Sequence, residues 1–450
     1  MDYRKKKMIF YHPNIKHTLD FAKHSSHIEG NVDLINGKDI NRNCWFGCLA
    51  FIAADGSTNY AYEQTKKKYD IIFTPHKQEK YMMFYEAGDM HDDWFVHFYD
   101  IVPTDVKKDI EEKRCLLIVS MMNEGINMPS TFPTMHEFID RVGASKDTFM
   151  FISADFNIEN KYKKFCEENP NIEPVDVIKS QYFVTAMTNE YEQMSRVPQN
   201  YVNRSMGSFS QVNMDIRDYY YVCMNRLPKI HRQVIIAYLL KLGIFDKGLV
   251  SLLDGGVDNF ETFQGNRYSE RPPIYRGKEK EYIMPYWEKT KDMAPMTIDL
   301  DYETLKNNFG AWNTHMTFEP HNNSYFSIQT GTSYDTDWVH LDDKFFKCFG
   351  LLQPFIWVGP PNSLPYAEKY GFKTFHPYID ESYDKIEDPQ DRMLAIVKEI
   401  ERLCSMSKKE IHEWYHSMWN ILAHNLEVVK TPFDCYEKIY SKVYDKFTYL

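Results

Sequence analysis

The fold is decided by two apolar runs, residues 115–120 (CLLIVS) and 148–153 (TFMFIS). Each run is short and continuous, which is typical of a strand buried on both faces of a parallel sheet. An amphipathic stretch at 135–142 separates them, with Gly143 placed to end a helix, and a second such stretch follows near 159–168. This alternation of strand and helix predicts right-handed βαβ units and a parallel sheet.

A second α/β set begins further along the chain. Residues 219–224 (YYYVCM) predict its first strand, and a helix is predicted over 229–242 with Pro228 suited to its first position. The apolar runs at 248–253 and 355–358 predict two further strands. The chain is therefore predicted to contain two α/β sheets.

The length of 450 residues fits two domains better than one core. We expect an N-terminal domain over 1–205 and a C-terminal domain over 206–430, connected through a polar stretch at 188–215. Residues 431–450 are predicted to form a last helix. Its apolar stripe, spaced three and four residues apart, is predicted to pack in the core and not against a partner; it consists of Phe433, Tyr436, Tyr440, Val443 and Phe447.

The chain carries a formal charge of −11 and an apolar fraction of 43%. An acidic surface disfavours broad, salt-driven binding of nucleic acid, although a local basic groove is compatible with it. Three basic runs, at 4–7, 66–68 and 276–280, are candidates for such a groove. Separate runs of this kind are more typical of solvated surface.

No stretch is apolar for the roughly 20 residues that a membrane span requires, and the N-terminus lacks the pattern of a signal peptide. The eight cysteines are scattered, so neither a disulfide framework nor a zinc site is predicted. We therefore expect a cytoplasmic protein with no membrane partner.

The chain contains none of the glycine-rich or serine motifs of P-loop NTPases, dinucleotide oxidoreductases and α/β-hydrolases. The acidic run at 89–93 has the carboxylates of a divalent metal site but no partner motif. No cofactor and no catalytic metal are therefore predicted.

Basic residues follow the predicted strand 219–224. Asn225 and Arg226 fall in the loop, and His231 and Arg232 fall in the first turn of the next helix. A helix N-terminus favours an anion, and arginine binds phosphate oxygens bidentately. These four residues are candidates for binding a pyrophosphate; the alternative is surface charge with a salt bridge.

A second candidate pair, Asp343 and Lys344, stands at the start of a predicted helix. Asp343 is suited to a ribose hydroxyl and Lys344 to a phosphate, while an acidic first turn is also ordinary capping. In the N-terminal half, Glu124 and Asp155 each follow a predicted strand. Either carboxylate is a candidate general base, and either is equally suited to cap a helix.

The stretch 324–384 resembles the C-terminal region of phage and bacterial glycosyltransferases of the GT-B type, in their fucosyltransferase-like branch. The resemblance rests on DDKFFK at 342–347, QPFI at 353–356, GFKTF at 371–375 and the segment 225–248. It extends over about half of the chain, and the N-terminal half matches loosely.

This resemblance implies two Rossmann-like domains that face a cleft, with the last helix crossing back to the first domain. The C-terminal domain would bind a nucleotide sugar, with Asp343 near the ribose and Lys344 near the phosphates, and Glu124 would stand at the place of the base. Two departures leave the sugar open: Gly331 stands where the group tends to be acidic, and Asp343 replaces its glutamate.

Among the functions that this resemblance implies, the favoured one is transfer of arabinose or a hexose from a nucleotide-sugar donor to hydroxymethylcytosine in double-stranded phage DNA. An enzyme that acts on a base within a duplex must extrude it. The net charge of −11 speaks against a DNA acceptor unless basic residues gather around the cleft. The alternatives are a glycan or polysaccharide acceptor, and a non-catalytic binding protein on a transferase scaffold.

Overall fold

The computed structural model describes residues 6–11, 68–74, 76–86, 95, 102–121, 130–180, 184, 212–225, 228–252, 276–298, 318–431 and 436–450. The chain divides into two compact units. Unit 1 consists of Met1–Asn189 together with Pro432–Leu450, and unit 2 consists of Glu190–Thr431.

Unit 1 contains a six-stranded sheet in the order β2-β1-β3-β4-β5-β6, and all of its strand pairs are parallel. The predicted strands at 115–120 and 148–153 are confirmed as the neighbours β4 and β5. The strands are β1 (Lys6–Tyr11), β2 (Tyr69–Thr74), β3 (Tyr81–Glu86), β4 (Cys115–Met121), β5 (Phe149–Ser153) and β6 (Asp176–Lys179).

Helices cover both faces of this sheet. Alternate residues of a strand point to opposite faces, so Leu117 and Val119 join one apolar cluster while Leu116 and Ile118 join the other. The first cluster contains residues of the first three helices and the second contains residues of the last one. The helices are α1 (Thr104–Glu111), α2 (Thr131–Arg141), α3 (Ile158–Glu168) and α12 (Tyr436–Tyr449).

The last helix, α12, completes the core of unit 1. Tyr440, Val443 and Phe447 of the predicted stripe are buried together with Ile439 against the sheet. The prediction that the stripe is core is therefore confirmed for these three positions; Phe433 lies outside the described residues.

Unit 2 contains a four-stranded sheet in the order β10-β9-β7-β8, again with parallel pairs only. Its strands are β7 (Tyr219–Asn225), β8 (Gly248–Leu252), β9 (Ser324–Thr330) and β10 (Phe355–Val358). Its helices are α4 (Ile230–Lys241), α5 (Gly277–Met293), α6 (Phe318–Asn322), α7 (Asp343–Gly350), α8 (Leu364–Glu368), α9 (Pro389–Ser405), α10 (Lys408–Ser417) and α11 (Trp419–Lys430). The expected α/β fold with two parallel sheets is confirmed.

The start of α4 corrects one expectation. Lys229 is the N-cap residue and the helix begins at Ile230, so Pro228 precedes the helix and is not its first residue. The helix ends as predicted, because Gly243 follows it with a φ of 65°, a backbone conformation that glycine adopts without strain.

Candidate functional site

The candidate site lies at the carboxyl edge of the sheet in unit 2, where ligands bind in open parallel sheets. β7 ends at Asn225 and its neighbour β9 ends at Thr330, and the Thr330 hydroxyl donates to Asn225 Oδ1 over 2.6 Å. The Asn225 backbone N–H also donates to Ser251 Oγ in β8 over 3.1 Å. Asn225 is therefore a buried link between three strand ends.

The loop that follows β9 is held from the start of α4. The carbonyl of Gly331 accepts hydrogen bonds from His231 Nε2 at 3.0 Å and from Arg232 Nη2 at 3.1 Å. The next carbonyl, of Thr332, accepts from Lys229 Nζ at 2.7 Å. His231 and Arg232 are each only 4% exposed, so they act here as buried donors to the backbone.

The same loop is linked to the start of α7 through Asp342. This buried carboxylate accepts from Thr332 N–H at 2.8 Å and Thr332 Oγ1 at 3.0 Å, and it caps the helix by accepting from the Lys344 N–H at 3.1 Å. Lys344 Nζ lies 3.5 Å from the carboxylate, and the Lys344 side chain is 30% exposed. Asp343 is the first helical residue.

We call these residues the edge cluster: Asn225, Lys229, His231, Arg232, Asp342 and Lys344. The structure brings the predicted residues His231 and Arg232 to one loop, 331–334. Asn225 bonds to Thr330, directly before this loop, and Lys344 is linked to the loop through Asp342. Lys229 and Asp342 were not singled out from the sequence. Their partners lie 103 and 10 residues away, and the one local signal was an aspartate directly before a helix, at Asp342.

Gly331 is a glycine because Trp357 leaves no room for a side chain. A Cβ atom at Gly331 would come within 2.8 Å of Trp357 Cζ2, and one at Gly359 would come within 2.1 Å of Trp357 Nε1. The indole therefore packs directly against two backbone segments. An acidic residue at position 331, as in the group that the sequence resembles, would require Trp357 to move.

Burial keeps His231 uncharged. Desolvation, followed by the charges of Arg232, Lys229 and Arg392, lowers the pKa of His231 well below its usual value of 6.5. Because a carbonyl can only accept, the bond to Gly331 requires the proton on Nε2. His231 thus supplies a neutral donor at pH 7, whereas Lys229, Arg232 and Lys344 supply positive charge.

Asp155 lies at the carboxyl edge of the other sheet, in unit 1. Its carboxylate is fully buried, accepts from the Asn157 N–H at 2.9 Å and pairs with Lys161 Nζ at 3.0 Å. This is the geometry of a turn that opens α3. Glu124 and Arg226 lie outside the described residues, as does the acidic run 89–93.

The last residue of the loop, Tyr334, is held between His231 and Arg392 of α9. Tyr334 stacks on His231 with ring centroids 5.6 Å apart and an interplanar angle of 18°. The guanidinium of Arg392 lies 4.4 Å from the centroid of the Tyr334 ring and donates to the Tyr334 carbonyl over 2.8 Å. No local sequence pattern marks these contacts, since they join residues 58 and more positions apart.

Within the described part of the chain, no group of three or more histidine, cysteine, aspartate or glutamate side chains is arranged to hold a metal ion. Among the same residues, no helix combines the length and apolarity that crossing a bilayer requires.

No protein-family model matches the chain, and no curated protein matches its sequence. Nine chains of solved structures match it in fold. One of them is an α,α-trehalose-phosphate synthase (UDP-forming) from Burkholderia vietnamiensis, with 9% sequence identity and a TM-score of 0.38. The match covers 88% of this chain and 78% of that chain.

Proposed function

We propose that the protein is a glycosyltransferase that takes a sugar from a nucleotide-sugar donor, with the donor bound at the edge cluster of unit 2. The observation that carries this proposal is that His231 and Arg232 bind loop 331–334 at the carboxyl edge of a parallel sheet. Asn225 lies at the strand end beside this loop, and Lys344 is linked to it through Asp342. Two α/β units in one chain, and the resemblance of 324–384 to GT-B glycosyltransferases, support it.

The edge cluster has the chemistry that a nucleoside diphosphate needs. Lys229, Arg232 and Lys344 place cations around loop 331–334, where they would stabilise negative charge as the diphosphate leaves. The Lys344 side chain is 30% exposed whereas Arg232 is buried, so Lys344 is the better placed of these two cations to reach a ligand. Arg226, which follows Asn225 in the chain, is proposed to join this cluster.

Under this proposal unit 1 binds the acceptor and supplies the base that takes its proton. Glu124 is the first candidate, from its place after β4. Asp155 is the second, although its pairing with Lys161 and its burial favour a structural role. No step requires a metal in this scheme, because the charge on the leaving group is matched by side-chain cations.

A thermal-shift screen against UDP, GDP, CMP and their sugar conjugates tests the donor site. A ligand that binds only the folded protein must raise the melting temperature. We expect one nucleoside diphosphate and its sugar conjugates to raise the melting temperature. Binding of none of them would contradict the proposal and favour a non-catalytic protein on this scaffold.

Variants then test the site itself. Lys344→Ala removes the ammonium group and is expected to weaken binding of the nucleotide that raises the melting temperature about tenfold, as loss of one charge-assisted contact does. Lys347→Ala, one turn further along α7, is the matched control and should leave the affinity unchanged. If Lys344→Ala and Lys347→Ala bind the nucleotide with equal affinity, the diphosphate binds at another place.

The acceptor is proposed separately. Hydroxymethylcytosine in double-stranded DNA remains the favoured acceptor, and a glycan is the alternative. A gel shift with hydroxymethylcytosine DNA at two salt concentrations separates them, because binding through phosphates weakens steeply with salt. No shift at low salt would exclude the DNA acceptor and leave the glycan.

A further inference from the structure

The loop 331–334 is held by its carbonyl oxygens. The carbonyl of Gly331 is bound by His231 and Arg232, that of Thr332 by Lys229, and that of Tyr334 by Arg392. The donors come from two helices, α4 with its N-cap Lys229, and α9. The loop is therefore held at three of its four carbonyls.

His231 stands at the centre of this arrangement. Its Nε2–H binds the first carbonyl of the loop, while its ring stacks on Tyr334, the last residue of the loop. Tyr334 is itself held by α9: its hydroxyl donates to the Pro389 carbonyl over 2.7 Å, and the Arg392 guanidinium lies over its ring. His231 therefore touches both ends of the loop.

The loop in turn holds the start of α7. Thr332 donates its backbone N–H and its hydroxyl to Asp342, and Asp342 caps the helix that carries Lys344. A shift of Thr332 would withdraw two hydrogen bonds from Asp342. The position of the Lys344 ammonium group, 3.5 Å from the same carboxylate, depends on that link.

We propose that His231 is a positioning residue of the nucleotide site: it fixes loop 331–334 and, through Thr332 and Asp342, holds Lys344 in place for the donor's diphosphate. This inference rests on the proposed function. His231 acts without touching the ligand, by giving a neutral hydrogen bond and a stacking face. A positively charged side chain in its place would lie among the positive charges of Lys229, Arg232 and Arg392.

The test uses the full-length chain with two substitutions at one position. His231→Phe keeps an aromatic ring for Tyr334 and loses the donor, whereas His231→Gln keeps an N–H that can reach the Gly331 carbonyl. UDP and GDP are titrated separately by calorimetry, and hydrogen exchange is followed at the Thr332 amide. We expect His231→Phe to weaken nucleotide binding at least tenfold and to speed exchange at Thr332 at least tenfold, and His231→Gln to restore both substantially.

A second variant keeps the test decisive if His231→Phe does not fold. Thr332→Val removes the hydroxyl that donates to Asp342 at a half-buried position and keeps the shape of the side chain. It is expected to weaken nucleotide binding several-fold with exchange at the Gly331 amide unchanged. Unchanged nucleotide affinity in a folded Thr332→Val protein would overturn the link from the loop to Lys344.

The outcomes separate the two proposals. If the wild type binds UDP or GDP and His231→Phe binds equally well, the positioning role is overturned and the proposed function stands. Unchanged hydrogen exchange at the Thr332 amide in His231→Phe overturns the positioning role, whatever the nucleotide affinity of the variant is. If the wild type binds none of UDP, GDP, CMP and their sugar conjugates, the proposed function fails and the role falls with it.

Discussion

At the residue scale, Asp109 is a buried carboxylate of unit 1 that several side chains contact. It accepts from Lys77 Nζ at 2.7 Å, from Tyr81 OH at 2.5 Å and from Arg114 Nη2 at 2.5 Å, and its side chain is 6% exposed. Burial alone would raise the pKa of Asp109, but the hydrogen bonds from Lys77 and Tyr81 and the charges of Lys77 and Arg114 outweigh it and lower the pKa.

We expect Asp109→Asn to lower the free energy of unfolding by about 1–3 kcal/mol at pH 7, because it leaves Lys77 and Arg114 without their shared partner. A depressed folded-state pKa gives stability that is present above the unfolded-state value and lost as pH falls from about 4. The variant should therefore show a weaker loss of stability with acid, measured as urea midpoints between pH 7 and pH 3.

The control for this prediction is Asp105→Asn. Asp105 also pairs with Lys77, at 2.6 Å, but its side chain is 67% exposed. Exposed pairs contribute about 0–1 kcal/mol, so the midpoint should barely change. Equal losses in the two variants would contradict the assignment of Asp109 as the centre of the network.

At position 331, packing explains why the residue is a glycine. Gly331→Ala places a Cβ atom against Trp357 and is expected to cost about 1–3 kcal/mol of stability, as overpacking does. Trp357→Leu combined with Gly331→Ala should cost less than the sum of the two single substitutions, and a double-mutant cycle by urea unfolding measures this coupling.

Gly243→Ala serves as the reference for that cycle. Gly243 has a positive φ and nothing within 4 Å of its Cβ position, so its substitution costs backbone strain only. It should show no coupling to Trp357. A coupling near zero for Gly331 as well would mean that the indole moves aside freely.

The edge cluster shows how far single residues could be predicted. Asn225, His231 and Arg232 follow a strand in sequence, so their place at the carboxyl edge follows from the parallel sheet alone. The role of His231 and Arg232 in binding the Gly331 carbonyl did not follow, because that partner lies 100 and 99 positions away. Local pattern carries no information at that separation.

At the element scale, the strands that were predicted are those with continuous apolar runs, such as β4 and β5. β9 was not predicted, although it is buried throughout, because Ser324, Ser327 and Gln329 interrupt its apolar pattern. β3 (YMMFYE) was also missed, since its methionines and aromatics suit a helix as well as a strand. Both strands are recognised only through their neighbours in the sheet.

Asp342 joins two elements, and two substitutions separate its contributions. Asparagine is as good an N-cap as aspartate, so Asp342→Asn should keep the start of α7. Its amide group cannot accept from all the donors that now meet both carboxylate oxygens, among them the N–H and hydroxyl of Thr332. We expect Asp342→Asn to cost about 1–2 kcal/mol and Asp342→Ala about 2–4 kcal/mol in urea unfolding.

The difference in unfolding free energy between the two variants measures the contribution of the N-cap to α7. The loss of stability in Asp342→Asn measures the contribution of the hydrogen bonds to loop 331–334. Helix content by circular dichroism should be unchanged in Asp342→Asn. Identical losses for asparagine and alanine would show that the cap of α7 contributes nothing measurable.

At the scale of the whole molecule, one unit is built from one segment of the chain and the other from two, which has a consequence for folding. Unit 2 is a continuous segment, Glu190–Thr431, whereas unit 1 needs both Met1–Asn189 and Pro432–Leu450. The residues of α12 bury four large side chains against the sheet, and each contributes about 1.5–3 kcal/mol. Their sum is comparable to the whole stability of a domain, about 5–15 kcal/mol.

We therefore expect a chain that ends at Thr431 to lose the fold of unit 1 and to keep that of unit 2. Hydrogen exchange should become fast in β3 and β4 and remain slow in β7 and β9. A synthetic peptide of residues 432–450 added in excess should restore protection in β3 and β4, because the apolar face that it covers has no other partner among the described residues. The same peptide carrying Val443→Asp would bury a charge in that face and should restore nothing. Full protection of β4 in the shortened chain without any peptide would show that the sheet of unit 1 is stable with one face covered, and α12 would then be an addition to the core and not a condition for it.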